Sequence, residues 1–251
     1  MKKLIYYIAI LVLLELGVSC GKNNSTPTGG ASLTVINSVV GSDALITNFS
    51  NDYALSNFYA RANMLYYGSY NSSSNEFGLK SGSIPLALYQ LPDTTSKSTP
   101  VYKLQLNMAI GSIHTLFLTG QISSPDTLFT TDNPPYHPSS DSSVGVRFVN
   151  LSPGSNPVNI TLSTSPNVNE FSGITYKSIT SFKSYPATAG IKSYKFQFWD
   201  ATTGTLLGGY TINGVNNGSV NSNKNIYRYH NVTFVLEGMP GSTDVLLINN
   251  Q

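Results

Sequence analysis

Residues 146–162 read Val-Arg-Phe-Val-Asn-Leu-Ser-Pro-Gly-Ser-Asn-Pro-Val-Asn-Ile-Thr-Leu, and residues 33–49 read Leu-Thr-Val-Ile-Asn-Ser-Val-Val-Gly-Ser-Asp-Ala-Leu-Ile-Thr-Asn-Phe. Each stretch has an apolar run, a turn with glycine and serine, and a second apolar run, which is typical of two strands joined by a turn. Aligned, the stretches share three identities: Asn37 with Asn150, Gly41 with Gly154, and Ser42 with Ser155. The alignment predicts a unit that occurs twice.

Three later blocks extend the similarity in the same order. Residues 65–69 align with 174–178, Gly82 aligns with Gly190, and 115–120 (Thr-Leu-Phe-Leu-Thr-Gly) align with 233–238 (Thr-Phe-Val-Leu-Glu-Gly). Four blocks in one order indicate an internal repeat of a whole domain.

Apolar and polar residues alternate within each predicted repeat, which indicates strands with one packed side in antiparallel sheets. Phe196 lies on the apolar side of the clearest of these strands, between Lys195 and Gln197. Few charges, 16 tyrosines and 21 glycines also favour strands and turns over helices. We therefore predict an all-β fold of two tandem immunoglobulin-like β-sandwich domains.

One stretch departs from this pattern. Residues 52–66 carry apolar side chains at helical spacing, and Asp52 is suited to the N-cap position. A short helix and a combination of strand and loop both remain open for this segment.

The N-terminus has the pattern of a lipoprotein leader. Two lysines precede an apolar run over residues 4–14, which is shorter than a typical membrane-spanning helix, and Leu-Gly-Val-Ser leads into Cys20. Small residues before the chain's single cysteine predict cleavage there and lipid attachment to its sulfur. Residues 1–19 are thus predicted to be the signal peptide.

The rest of the chain divides by composition. Residues 20–31 form a polar, glycine-containing tether after the lipidated cysteine. The first predicted sandwich covers 32–120, a Pro/Ser-rich linker covers 121–143, and the second sandwich with a C-terminal strand covers 144–251. If the sandwiches are separate domains, the linker is the expected site of first proteolysis.

The charge of the chain excludes some functions. Charged residues are 10% of the chain and the formal net charge is +2, so the basic stripe needed for nucleic acid is absent from the sequence. A single cysteine rules out an internal disulfide.

The stretch Val-Arg-Phe-Val-Asn-Leu-Ser-Pro-Gly at 146–154 resembles the opening of domain of unknown function 4397, and the Tyr-Lys-Ser at 176–178 and the turn at 189–190 resemble its middle. The resemblance covers 32–238 and is weaker in the first repeat, where Val39 and Val40 replace Ser-Pro. It implies a β-sandwich that occurs in tandem in lipoproteins of Bacteroidetes. It implies no activity, and therefore no site residue.

Catalytic and metal-binding patterns are not evident in the sequence. His114, His137 and His230 are far apart, and the acids of the predicted linker lack the spacing of a calcium loop. The chain also contains no Gly-x-Ser-x-Gly motif and no phosphate-binding glycine loop. We predict no enzyme, no cofactor and no metal, although carboxylates paired only in space are not detectable this way.

Two groups of residues are candidates for sites. Aromatic rings stack on sugars and suit interfaces, and five tyrosines are clustered in the first repeat: Tyr53, Tyr59, Tyr66, Tyr67 and Tyr70. Thr94 and Thr127 follow aspartates in a short pattern similar to the O-glycosylation motif of exported Bacteroidetes proteins, and both fall in predicted loops.

Together these features predict a cell-envelope lipoprotein with a structural or protein-binding role. A glycan-binding accessory lipoprotein is the alternative, and an enzyme is the third. The predicted partners are the membrane, through the lipid, and an envelope protein or glycan. Lys22 stands where surface lipoproteins of this lineage carry acids, so we predict an outer-membrane protein facing the periplasm, with the cell surface as the alternative.

Overall fold

The computed structural model of the protein describes residues 29–50, 63–92, 97–138, 140–216 and 227–250. These residues form two β-sandwiches in sequence, which confirms the predicted all-β fold class. The elements of the first sandwich are β1 (Gly30–Asn37), β2 (Ala44–Asn48), β3 (Met64–Tyr66), α1 (Ser72–Asn75), β4 (Glu76–Lys80), β5 (Gly82–Gln90), β6 (Tyr102–Met108), β7 (Ile113–Gln121) and β8 (Ser124–Asp132).

The second sandwich begins at Ser143 and contains only strands in the described residues. These are β9 (Ser143–Asn150), β10 (Val158–Leu162), β11 (Ser165–Ile174), β12 (Ser178–Ile179), β13 (Lys183–Pro186), β14 (Ser193–Asp200), β15 (Leu206–Asn213), β16 (Asn231–Met239) and β17 (Ser242–Asn250).

Each sandwich has an inner sheet that faces the other sandwich and an outer sheet. The inner sheets have the orders β4-β1-β7-β8 and β12-β9-β16-β17, with β13 also paired to β9. The outer sheets have the orders β3-β2-β5-β6 and β11-β10-β14-β15. The two sandwiches therefore share one strand order, in which β9, β16 and β17 correspond to β1, β7 and β8.

The inner sheets differ from the expected antiparallel pattern. Strand β1 pairs with β7 in parallel, and β9 pairs with β16 in parallel. Their residues are also buried on both faces, as every residue of β9 shows. Burial on both faces removes the alternation of apolar and polar residues that marks a one-sided strand.

Each sandwich has its own core between its two sheets. The first core is mainly aliphatic and includes Leu33, Leu45, Leu86 and Leu116. The second core is built around aromatic rings, with Phe148, Phe196, Phe198 and Phe234 fully buried. Phe196 thus lies on the inward face, as its alternating strand predicted.

One predicted boundary is wrong. Strand β8 (Ser124–Asp132) lies within the segment predicted as a linker, because its polar residues occupy the edge of a sheet and need no apolar pattern on both faces. The first sandwich therefore extends to Asp132. Residues 52–66, for which a helix and a combination of strand and loop were both open, fall mostly outside the described residues, and their last part, Met64–Tyr66, is strand β3.

No helix among the described residues is long and apolar enough to cross a membrane. Cys20 and the predicted leader lie outside the described residues.

Candidate functional site

The two inner sheets pack face to face. Their contact has an apolar centre that is fully buried and distinct from the two sandwich cores. Its members come from both halves: Ile36, Phe117, Val149, Leu151, Val235 and Ile248, with Tyr70, Leu128, Ile179 and Leu246 at the margin. The sandwiches thus form one body, whereas the sequence suggested two domains separated by a linker.

Polar contacts around this centre occur in corresponding pairs. The Thr119 hydroxyl donates to the Leu151 carbonyl at 3.0 Å, and the Ser38 hydroxyl donates to the Glu237 carboxylate. In the alignment Thr119 corresponds to Glu237, and Leu151 corresponds to Ser38. Each contact is therefore the counterpart of the other, as in an interface with two-fold symmetry.

A second pair of positions shows where the symmetry breaks. Gly68 and Lys177 correspond, and both have a φ of 62°. Lys177 reaches across the interface to Asp126, with Nζ 2.7 Å from the carboxylate. At Gly68 an added Cβ would lie 2.7 Å from Oε1 of Glu237, so only glycine fits both the backbone and the space.

Glu237 is a buried carboxyl group at this end of the interface. It lies within strand β16 and is 2% exposed. Its pKa is raised to about 7: burial is the largest cause, the hydrogen bond from Ser38 opposes the shift, and the nearby Asp244 adds to it. Desolvation therefore favours the neutral form of Glu237.

We expect Glu237→Gln to change the pH dependence of stability. A carboxyl whose pKa is raised in the folded state contributes stability below its ordinary pKa of 4.5, and loses it as the pH rises through about 7. Relative to the wild type, the free energy of unfolding of the variant should therefore increase by about 3 kcal/mol between pH 4.5 and pH 8. Urea denaturation of both proteins at each pH measures this gain.

Asp244→Asn is the matched control, because Asp244 is a nearby carboxylate on the next strand and is exposed. It should change the pH profile much less than Glu237→Gln does. A constant difference between wild type and Glu237→Gln across this pH range would show that Glu237 has an ordinary pKa.

A buried ion pair lies at the opposite end of the interface. Nη1 of Arg147 is 2.7 Å from Oδ1 of Asp132, and the two side chains are 6% and 4% exposed. Arg147 Nε also donates to Thr233 at 2.8 Å, and its guanidinium lies 4.7 Å from the ring centre of Phe182. Asp132 lies in the segment that was predicted as the linker.

A cleft of about 430 Å³ opens next to this ion pair, between the two sandwiches. This volume is typical of small-molecule sites. Its lining is largely polar. The residues come from β1, α1, β4, β7, β8 and β17 and from the segments that follow β8 and precede β13: Ser32, Leu33, Thr34, Ser72, Glu76, Phe77, Gly78, Ile113, Asp132, Pro134, Phe182, Asn249 and Asn250.

The symmetry of the interface explains why the cleft is open. Thr34 corresponds to Arg147, and Asn250 corresponds to Asp132. Arg147 and Asp132 are long enough to meet across the interface. The corresponding side chains, Thr34 and Asn250, are shorter and leave space between the sheets. A second, shallower hollow of about 370 Å³ lies on the Arg147 side.

The predicted tyrosines are divided among different environments. Tyr66 is exposed on the edge strand β3, whereas Tyr67 and Tyr70 are partly buried. Tyr70 donates its hydroxyl to the Glu76 carboxylate and lies 3.0 Å from the Asn249 carbonyl, so it supports the cleft. Tyr53 and Tyr59 lie outside the described residues, so the predicted stacking surface stays a prediction.

The predicted glycosylation sites have different outcomes. Thr127 lies within strand β8 and is partly buried, so its prediction as a loop residue is wrong. Thr127 is paired with Leu118 of β7, and this pairing explains its extended conformation. Thr94 lies outside the described residues.

The three histidines lie in separate places. His114 stacks on Phe129 with ring centres 4.8 Å apart, His137 is buried and 3.0 Å from Asn231 Oδ1, and His230 is exposed. Among the described residues no three His, Cys, Asp or Glu side chains are grouped as a metal site would require.

Sequence reasoning missed the residues of the cleft and of the two buried charges. A signal was present, since each charge stands among apolar or β-branched residues, in Val-Arg-Phe-Val at 146–149 and in Thr-Phe-Val-Leu-Glu at 233–237. A charge in such a strand is rarely buried without a partner, so each one indicates a contact from outside its own sheet.

No family model matches the chain, and no curated protein matches it. The resemblance to domain of unknown function 4397 therefore stays a proposal.

Several solved structures are similar at a low level. One of them is described as alpha-glucan recognition by family 41 carbohydrate-binding modules from streptococcal virulence factors. It is 8% identical to this chain, with a TM-score of 0.26, and the match covers 87% of this chain and 96% of that one.

Two further structures are similar to the same degree. A streptococcal virulence factor that binds alpha-glucan is 10% identical, with a TM-score of 0.27, over 87% of this chain and 96% of that one. A protein of the domain of unknown function 3823 family from Bacteroides ovatus is 8% identical, with a TM-score of 0.21, over 74% and 96%. These values are too low to indicate a shared ligand or activity.

Proposed function

We propose that this protein is a lipid-anchored, non-catalytic binding component of the cell envelope. The observation that carries the proposal is the polar cleft at the junction of two tightly packed sandwiches. The ionisable groups at the cleft are bonded to one another, Asp132 to Arg147 and Glu76 to Tyr70. Fixed donors and acceptors suit the holding of a ligand, whereas catalysis needs a group free to take a proton or attack.

The proposed anchor is the lipid on Cys20, followed by the polar tether. The basic Lys22 after the cysteine favours an outer-membrane protein that faces the periplasm. We also propose that the two sandwiches are copies of one ancestral domain, since they share a strand order and exchange corresponding contacts.

The cleft favours a small ligand over a protein partner, because about 430 Å³ is too small for a folded surface. A protein partner is the second candidate, and a different feature favours it. Strand β11 is a ten-residue edge strand whose Val168 is 60% exposed, and such an edge can pair with a strand of another chain.

Replacement of Cys20 by alanine tests the anchor. The variant should incorporate no labelled palmitate and should appear as an unprocessed or soluble form, because the thiol that carries the lipid is missing. Lys22→Ala is the control and should keep the label. Equal label on Cys20→Ala and on the wild type would refute the lipid anchor.

The same labelled wild-type protein shows which way it faces. Proteinase K added to intact cells should leave it whole until the outer membrane is opened. Complete digestion on intact cells would place it on the cell surface instead.

A further inference from the structure

The cleft contains an acceptor that the protein itself does not use, and an unused donor lies beside it. Asn249 lines the cleft, and its buried Oδ1 has no hydrogen-bond partner in the described structure. Arg147, beside the cleft, has a buried Nη2 that is likewise without a partner. Buried polar atoms are normally hydrogen-bonded, so polar atoms without a partner at a cleft indicate that a bound ligand supplies the missing hydrogen bonds.

The charges at the cleft restrict that group. Asp132 is balanced by Arg147, whereas Glu76 keeps acceptor capacity after it accepts the Tyr70 hydroxyl. An anion would be repelled by Glu76. An apolar ligand would leave Asn249 Oδ1 without a hydrogen bond, at a cost of about 1–3 kcal/mol, and would not use the remaining acceptor capacity of Glu76.

We infer that the cleft binds one residue of a neutral, polyhydroxylated ligand, that is, a sugar unit of a glycan; this inference rests on the proposed binding function. Sugar hydroxyls donate to Glu76 and to Asn249 Oδ1, and they accept from the hydroxyls of Ser72 and Thr34. Phe77 and Phe182 also line the cleft, and aromatic rings pack against the C–H faces of a sugar ring.

Affinity electrophoresis of the full lipidated protein in detergent tests this inference. The gels contain glycogen, mannan or xylan as neutral polysaccharides, or polygalacturonate as an anionic one. The wild type should be retarded by at least one neutral polysaccharide and not by polygalacturonate. Glu76→Gln should weaken that retardation about tenfold, because a hydrogen bond to a charged acceptor is lost.

The structure offers a matched control in Glu170→Gln. Glu170 also accepts a tyrosine hydroxyl, from Tyr185 at 2.9 Å, but it lies on β11, away from the cleft. This variant should bind as the wild type does. If Glu76→Gln fails to fold, Ser72→Trp replaces it, because the exposed Ser72 lies at the cleft and a large ring there should block entry.

Three results would overturn the inference: no retardation by any neutral polysaccharide, retardation by polygalacturonate alone, or binding unchanged in both Glu76→Gln and Ser72→Trp. None of these results affects palmitate labelling of Cys20. Failure of the sugar site and failure of the lipid anchor are therefore separate outcomes.

Discussion

Phe196→Ala is expected to lower the free energy of unfolding by about 3–5 kcal/mol, as truncation of a fully buried aromatic residue does. The ring is 0% exposed at the centre of the second core. Its centre lies 5.1 Å from that of Phe234, and 5.2 Å from those of both Phe148 and Tyr185. These neighbours lie on three strands of the inner sheet, β9, β13 and β16, opposite Phe196 on the outer sheet, so a shift of one strand cannot close the space. Equilibrium urea denaturation measures the loss.

Gln197→Ala is the control for this substitution, because it changes the next residue of the same strand. Gln197 points to the other face of the outer sheet and is partly exposed. Its replacement should cost about 0.5 kcal/mol or less. Similar losses for the two variants would mean that the inward face of β14 is wrongly assigned.

Alternation along the chain was sufficient to predict the outer sheets but not the inner ones. Strands β6 and β14 bury one face and expose part of the other, so their sequences show period two. Strands β9 and β16 are buried on both faces, and a strand of that kind reads as a continuous apolar run. The parallel pairing of β9 with β16, like that of β1 with β7, cannot be deduced from such a run.

The packing of the two sandwiches depends on residues that look unremarkable in the sequence. Leu151 follows β9 next to a turn, and Thr119 is one of many threonines, yet the two are joined at 3.0 Å across the interface. The predicted linker likewise gave no sign of contact, because the polar residues of β8 resemble those of a solvated segment. The local pattern of polar and apolar residues therefore does not predict which polar residues are buried by contacts between distant parts of the chain.

The cleft was beyond sequence reasoning for a similar reason. Three of its lining residues, Glu76, Asp132 and Asn249, are each more than fifty residues from the next along the chain. They come together only because β4 and β8 belong to one inner sheet and β17 belongs to the sheet that faces it. The tyrosine cluster was a partial indication, since Tyr70 does contact both Glu76 and Asn249. Its role there is to hold two lining residues, whereas the sequence suggested a stacking surface.

Removal of one partner of the buried ion pair should also have a large effect. Asp132→Ala leaves the Arg147 guanidinium buried with Thr233 as its remaining side-chain acceptor, since Nη2 already has no partner. An uncompensated buried charge of this kind costs about 3–5 kcal/mol. Arg147→Met should be less damaging, because Thr115 and Thr130 still donate to the Asp132 carboxylate. Urea denaturation of each variant gives the two losses.

The double variant Asp132→Ala with Arg147→Met should lose less stability than the two single losses added together, by about 1–3 kcal/mol, because no buried charge then remains without its partner. The matched control is the Glu170 and Lys183 pair, which is 2.6 Å long but has its lysine 48% exposed. Water and salt screen that pair, so its coupling should be about 1 kcal/mol or less. Additive losses at Asp132 and Arg147 would show that the charges at the interface are solvated. The contact between the two sandwiches would then depend on their apolar centre and on the other hydrogen bonds across the interface.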